Sequence, residues 1–271
     1  LVMLEVMQRD VSSRIELSVT ETADLVFAIA VSAHYVPEAE TLTATLDGVP
    51  VDAVELRDAH GTRLHRVRSE PGRLIVEYSA RVAGAGRTDG ASEVDLLVSG
   101  RPSRYAESDA LAPTANAEFS GIPSPADVLA AVSSWVGTQL SYVPGSSLPT
   151  DGAVRTLLAR QGVCRDYAHV CVALLHALGI PARLVAVYAP GLDPMDFHAV
   201  AEAWLDDAWR VVDATTLAPR STLVRIATGR DAADTAFLTV VSGRADLVGV
   251  EVTAVADALP DDDVTELVSI A

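Results

Sequence analysis

From Ser13 to Val19 polar and apolar residues alternate one for one, and Thr41 to Leu46 repeats the pattern before a turn at Asp47-Gly48. A period of two places successive side chains on opposite faces of a strand. Asp24 to Ser32 is a longer apolar run, and Arg73 to Tyr78 follows the turn signal Pro71-Gly72. Short strands parted by turn residues predict an all-β, sandwich-like domain or small barrel over residues 1–105. The glycines of Ala83-Gly84-Ala85-Gly86 have no helix directly after them and read as a loop, not a dinucleotide site. His34, His60 and His65 are isolated and read as structural or exposed.

The pattern changes after residue 105. The stretch 106–124 is polar with prolines and reads as an interdomain connector. Ser124-Pro125 then opens a helix, with Ser124 as N-cap and Pro125 at its first position, running to Leu140. Residues 141–147 read as a loop, and Thr150 as the cap of a helix over 151–159. Tyr167 to Leu178 is apolar on almost every side, which predicts a helix buried on most faces. Gly162-Val163 turns the chain into this helix and makes Cys164 its first residue; Gly179 and Pro181 end it. Residues 182–188 read as a strand and 190–197 as a loop. His198 to Leu205 and Trp209 to Thr215 are strands joined by the two-residue turn Asp206-Asp207. Two more strands, 237–241 and 247–255, flank a turn that starts at Ser242-Gly243. Asp261-Asp262-Asp263 reads as a solvated acidic turn before the tail 264–270. The units expected are a β-rich domain at 1–105, a connector at 106–124 and a catalytic core at 125–271 that includes the C-terminal strands.

Charge narrows the partners. The 271 residues carry a net charge of −17, which repels phosphate backbones and anionic membranes, so neither nucleic acid nor membrane is expected. All 20 basic residues are arginines, which excludes Schiff-base lysine chemistry and a phosphate-loop lysine. Arg57, Arg63, Arg66, Arg68 and Arg73 form a local basic patch, read as a solvated hairpin face or as a dock for an acidic partner. No apolar run reaches the ~20 residues that cross a bilayer. The N-terminus lacks the basic-then-apolar pattern of a signal peptide, and Leu1 leaves open an upstream piece. The two cysteines, Cys164 and Cys171, lie about 10.5 Å apart along one helix, beyond the ~7 Å reach of a disulfide. Two reduced thiols fit a cytoplasmic setting.

The candidate chemistry begins at Cys164. A helix N-terminus directs free N–H groups and the positive dipole end at a first-turn sulfur, an environment that favours thiolate. If Asp206-Asp207 is the turn, Leu205 pairs with Ala208 and His198 opposes Thr215. Asp213 is then the diagonal neighbour of His198 on the same face, ~7–8 Å away at the backbone and within side-chain reach; a one-residue slip would separate them. Cys164 would attack a carbonyl, His198 would exchange the proton, and Asp213 would orient the imidazole. The other reading of Asp213 is a strand-end residue capping the following turn with Thr215 and Thr216. The Cys164 backbone N–H is a natural oxyanion donor, and the Tyr142 hydroxyl is a candidate second one. Asp166 suits the helix dipole or contacts substrate. His169 and His176 read as core or interdomain hydrogen-bonding residues. No metal site or cofactor is expected.

At Gly162-Val163-Cys164-Arg165-Asp166-Tyr167-Ala168-His169, His198-Ala199-Val200-Ala201-Glu202 and Val212-Asp213-Ala214-Thr215 the chain resembles the transglutaminase-like superfamily, in particular bacterial proteins described as candidate cysteine proteases. The resemblance covers residues 125–217, and the N-terminal half looks like the β-rich region that precedes the core in that group. It implies an α+β class: a papain-like core in which the cysteine helix packs on an antiparallel sheet. It also implies Cys164, His198 and Asp213 as nucleophile, base and orienting acid. Val200 stands where the family often has tryptophan, and Asp207 where it has a turn glycine. Nothing resembles a calcium site. The function implied is a thiol-dependent amide hydrolase or acyl transferase, a peptidase, amidase or transglutaminase, acting on a peptide or protein amide through a thioester. The alternative is a catalytically inactive peptide-binding or scaffolding protein of the same fold.

Overall fold

The first strand, β1 (Gln8–Phe27), is 20 residues long, and its alternation is the one seen in the sequence. Its inward residues Val11, Ile15, Leu17, Val19 and Leu25 are all buried. The computed structural model describes residues 7–88 and 90–270; residues 1–6 of the expected N-terminal domain lie outside the described residues. After β1 come β2 (Ala39–Leu46), β3 (Val49–Pro50), β4 (Ala53–Arg57), β5 (Arg63–Ser69) and β6 (Gly72–Ala83). β5 and β6 run end to end along one edge of β1, with Phe27 paired to His65 and Gln8 to Ala83. β2 pairs β6 and β4 pairs β5, so the sheet curls about β1. The expected turn at Asp47-Gly48 is present, both residues having positive φ. The basic patch is largely neutralised: Arg63 bonds Glu40 and Glu55, Arg66 bonds Asp24, and Arg73 bonds Glu16.

The middle of the chain supplies the helices α1 (Glu93–Val98), α2 (Ser108–Phe119) and α3 (Pro125–Gln139), then β7 (Ser141–Tyr142), α4 (Ala153–Ala159), β8 (Gln161–Gly162) and α5 (Cys164–Ala177). β9 (Ala182–Tyr188), β10 (Phe197–Leu205), β11 (Ala208–Val212) and β12 (Val224–Gly229) form an antiparallel sheet ordered β11-β10-β9-β12. A short α6 (Ala232–Thr235) follows. α5 packs against α2, α3 and α4 and lies on β9 and β10. Val170, Val172, Leu174 and Leu175 are at 0% exposure, and complete burial of such side chains contributes about 1.5–3 kcal/mol each. Gly179, at φ 77°, ends α5, with the Ile180 N–H returning to the Leu175 carbonyl at 2.9 Å. The other face of the sheet packs Val185, Val187, Val200 and Val211 against Leu223 and Ile270.

Several expectations are corrected. Residues 106–124 are no connector, since α2 places Leu111, Ala115 and Phe119 in the core shared with α5. The chain's last strand, β13 (Leu238–Ala256), replaces two expected strands and belongs to the first sheet, where it covers the second edge of β1. Gly243 lies within it opposite the β1 bulge at Thr22-Ala23, not in a turn: φ is 78° and an added Cβ would strike the Thr22 carbonyl. Residues 125–271 are therefore not a closed unit. Thr150 does not cap α4; Gly152 holds that position, and the Glu107 carboxylate accepts from the Val154 N–H at 3.2 Å. Residues 261–263 are exposed, as expected, and Asp262 in addition accepts from the buried Arg220 guanidinium at 2.9 Å.

Candidate active site

α5 begins at Cys164 because the residues before it cannot continue a helix. Val163 is extended, and an added Cβ at Gly162 would sit 2.7 Å from the Asp166 Cβ. Asp166 closes the first turn: its Oδ2 accepts from the Val163 N–H at 2.8 Å, and its Oδ1 from the Ser147 hydroxyl at 2.9 Å. Asp166 is 0% exposed. It is therefore a helix-start residue beneath the 147–148 loop rather than a substrate contact, and of its two expected roles only the first is available to it.

Residues 141–142, expected as loop, form β7, which pairs in parallel with β8 and sets Tyr142 beside Gly162. The Val143 N–H donates to the Gly162 carbonyl at 3.0 Å. This pairing brings the Tyr142 hydroxyl against both the Cys164 thiol and the Cys164 backbone N–H. Burial, then the neighbouring sulfur, push that hydroxyl up to about 12, so at neutral pH it remains a proton donor.

β10 and β11 pair in the expected register, Leu205 with Ala208 and Ala201 with Val212. Asp206 and Asp207 both have positive φ, 52° and 54°, the backbone of a type I′ turn. His198 Nε2 donates to Asp213 Oδ2 at 2.9 Å. Asp213 Oδ1 accepts from the Thr215 N–H at 2.9 Å and from the Thr215 hydroxyl at 2.7 Å. One Asp213 oxygen thus faces the His198 ring and the other the Thr215 turn. The ring and the carboxyl are almost wholly buried. Burial alone pulls His198 toward the neutral form, but the Asp213 charge and hydrogen bond, aided by Cys164, outweigh it and raise its pKa. Burial pushes Asp213 upward, and His198 and Thr215 overcome this, holding it below the usual range. Both directions favour an imidazolium facing a carboxylate. The other ring nitrogen, Nδ1, is buried with no hydrogen-bond partner, and the Cys164 sulfur is close enough to act on the ring.

His169 and His176 are buried in the core, as expected. His169 Nε2 accepts from the Ala232 N–H at 3.1 Å, and burial pulls that ring down to about 3. His176 Nε2 donates to the Ala182 carbonyl at 2.8 Å. Cys171, at 0% exposure, lies far from solvent. Among the described residues no group of three or more His, Cys, Asp or Glu side chains is arranged to hold a metal ion.

Two features escaped sequence reasoning. Glu202, fully buried, accepts from Arg183 at 2.8 Å and from Arg225 at 2.6 Å; a glutamate among apolar strand residues was its only sequence signal. Asp196 is exposed at the end of a loop, two residues before His198. Beside Tyr142 and Thr215 a cavity of about 280 Å³ is edged by Ser133, Ser134, Tyr167 and Thr216, so its polar lining is hydroxyl and uncharged.

The transglutaminase-like superfamily description matches residues 113–214. A candidate cysteine protease from Cytophaga hutchinsonii, known as a crystal structure, is 30% identical with a TM-score of 0.87, over 97% of this chain and 96% of that one. An uncharacterized protein of Mycobacterium leprae is 31% identical over 49% of this chain. An uncharacterized protein of Mycobacterium tuberculosis is 34% identical over 40% of it. The chain spans 52% of the length of the first and 39% of the second.

Proposed function

We propose that this chain, which belongs to the transglutaminase-like superfamily, is a thiol-dependent amide hydrolase or acyl transferase working through a thioester on Cys164. The observation that carries the reading is the unpartnered Nδ1 of His198, beside the Cys164 sulfur on a ring whose Nε2 is held by Asp213. A buried ring nitrogen without a partner is costly, and a thiol able to give up its proton is the group that would satisfy it.

In the resting ion pair the proton of the Cys164 thiol sits on His198 Nδ1, and the freed sulfur attacks the amide carbon. The oxyanion takes hydrogen bonds from the Cys164 N–H and the Tyr142 hydroxyl. His198 then gives the proton to the departing amine as the C–N bond breaks, leaving the thioester. Attack by water yields a carboxylic acid; attack by a second amine yields a new amide. In both, His198 takes the incoming proton and returns it to sulfur. Asp213 keeps the imidazolium oriented throughout. The acidic balance of the chain supports a peptide or protein amide as the substrate rather than nucleic acid or an anionic membrane. The same reading places the chain in the reducing cytoplasm, supported by its two free thiols.

The test is iodoacetamide labelling against pH, with mass spectrometry reporting each cysteine. Fast alkylation of Cys164 well below pH 8, slowed at least tenfold by His198→Ala, is expected, with Cys171 inert. Equal sluggishness of both thiols would favour a peptide-binding role. Amine incorporation into a glutamine peptide, against release of ammonia or cleaved peptide, then identifies the acceptor.

A further inference from the structure

The proposed chemistry leaves one carboxylate near the site unused. Asp196 is exposed and stands two residues before His198. Phe197 between them sets its ring 5.3 Å from Phe237 and 5.7 Å from Tyr188. β10 begins at Phe197, so Asp196 immediately precedes the strand that carries His198. Asp196 Oδ1 accepts from the Phe197 N–H at 2.7 Å, which fixes the carboxyl's direction. The His198 charge acts on Asp196, and Asp196 acts in turn on the Tyr142 hydroxyl. These two groups flank the sulfur. Among the described residues no arginine forms an ion pair with Asp196, and the chain has no lysine that could.

Resting on the thiol chemistry above, we propose that Asp196 is a specificity-determining residue that selects substrates bearing a positive charge, ammonium or guanidinium, next to the reacting amide. An exposed carboxylate paired with no arginine attracts such a group and repels an acidic one, over a distance at which surface charges still act. The excess negative charge of the whole chain adds the same preference at long range.

Charged methanethiosulfonates test this on the full chain without a known substrate. The Cys164 thiolate attacks the sulfenyl sulfur, forms a mixed disulfide and expels methanesulfinate. Rates are followed by mass spectrometry with a trimethylammonioethyl, a sulfonatoethyl and a neutral methyl reagent. In the wild-type chain the cation is expected to outpace the anion. Asp196→Asn should lower that ratio about tenfold while the neutral reagent changes less than twofold. Asp193→Asn, another exposed carboxylate of the same loop, should leave the ratio alone. An unchanged ratio in Asp196→Asn, or an equal slowing with all three reagents, overturns the proposal; the second result would mean that Asp196 acts on His198 instead. Failure of the thiol chemistry itself would show separately, as slow neutral labelling indifferent to His198→Ala.

Discussion

His198 and Asp213 stand 15 positions apart in the chain and are joined Nε2 to Oδ2 at 2.9 Å. The contact depends on strand register, and the register on a turn whose two central residues, Asp206 and Asp207, adopt left-handed backbone. Asp207→Gly should relieve the cost of an L-residue at that φ. A gain of about 0.5–1 kcal/mol in urea denaturation is expected, with Cys164 labelling unchanged. A loss of labelling would mean that Asp207 acts through its side chain and not only through its left-handed backbone.

The pair also has a pH signature. His198 is raised, so its contribution to stability is complete below the unfolded value of about 6.5 and is lost as pH climbs through the folded one. Asp213 is lowered, so its contribution is complete above about 3.9 and is lost as pH falls through its folded value. A double-mutant cycle with His198→Ala and Asp213→Asn should therefore show its largest coupling between about pH 4 and 6.5, declining on both sides. A coupling that does not vary with pH would rule out the ionic form.

Tyr142 should separate alkylation from acyl transfer. Haloacetamide displacement builds no oxyanion, so Tyr142→Phe should alter Cys164 alkylation by no more than about threefold. Acylation by p-nitrophenyl acetate passes through a tetrahedral oxyanion and should slow about 10–100-fold, somewhat less than the loss usual for an oxyanion donor. Parallel losses in both reactions would remove Tyr142 from that role.

Glu202 joins Arg183 and Arg225 inside the core at 0% exposure. Glu202→Gln removes the carboxylate charge that both buried guanidiniums share, and a loss of about 3 kcal/mol in unfolding free energy is expected. A loss below about 1 kcal/mol would mean that water or rearrangement reaches the site.

The candidate site was the most legible part of the sequence, because each of its constraints is local. Gly162 before Cys164, Gly179 after α5 and the two-residue turn at Asp206 each act within a few positions, and their combination set the helix start and the strand register. What escaped depends on distant chain. Gly243 reads as a turn because positive φ serves turns and irregular strand pairing alike, and only the presence of β1 alongside decides. Pro113 and its polar neighbours suggest a linker, yet Leu111, Ala115 and Phe119, four apart, form a helix stripe buried against the core. Asp166 was ambiguous because nothing in the sequence shows that Ser147 lies over it.

The pairing of the first strand with the last has a bearing on biosynthesis. The hydrogen bond from the Gln8 backbone to Asp257 joins residues 249 positions apart. As the polypeptide leaves the ribosome, β1 can recruit β5 and β6 early, but its other flank stays bare until translation has passed Ala256. During that interval the nascent chain presents an open β edge, the form most prone to wrong pairing with other chains. Completion of the sheet waits on the slowest kind of contact, one between remote parts of the sequence.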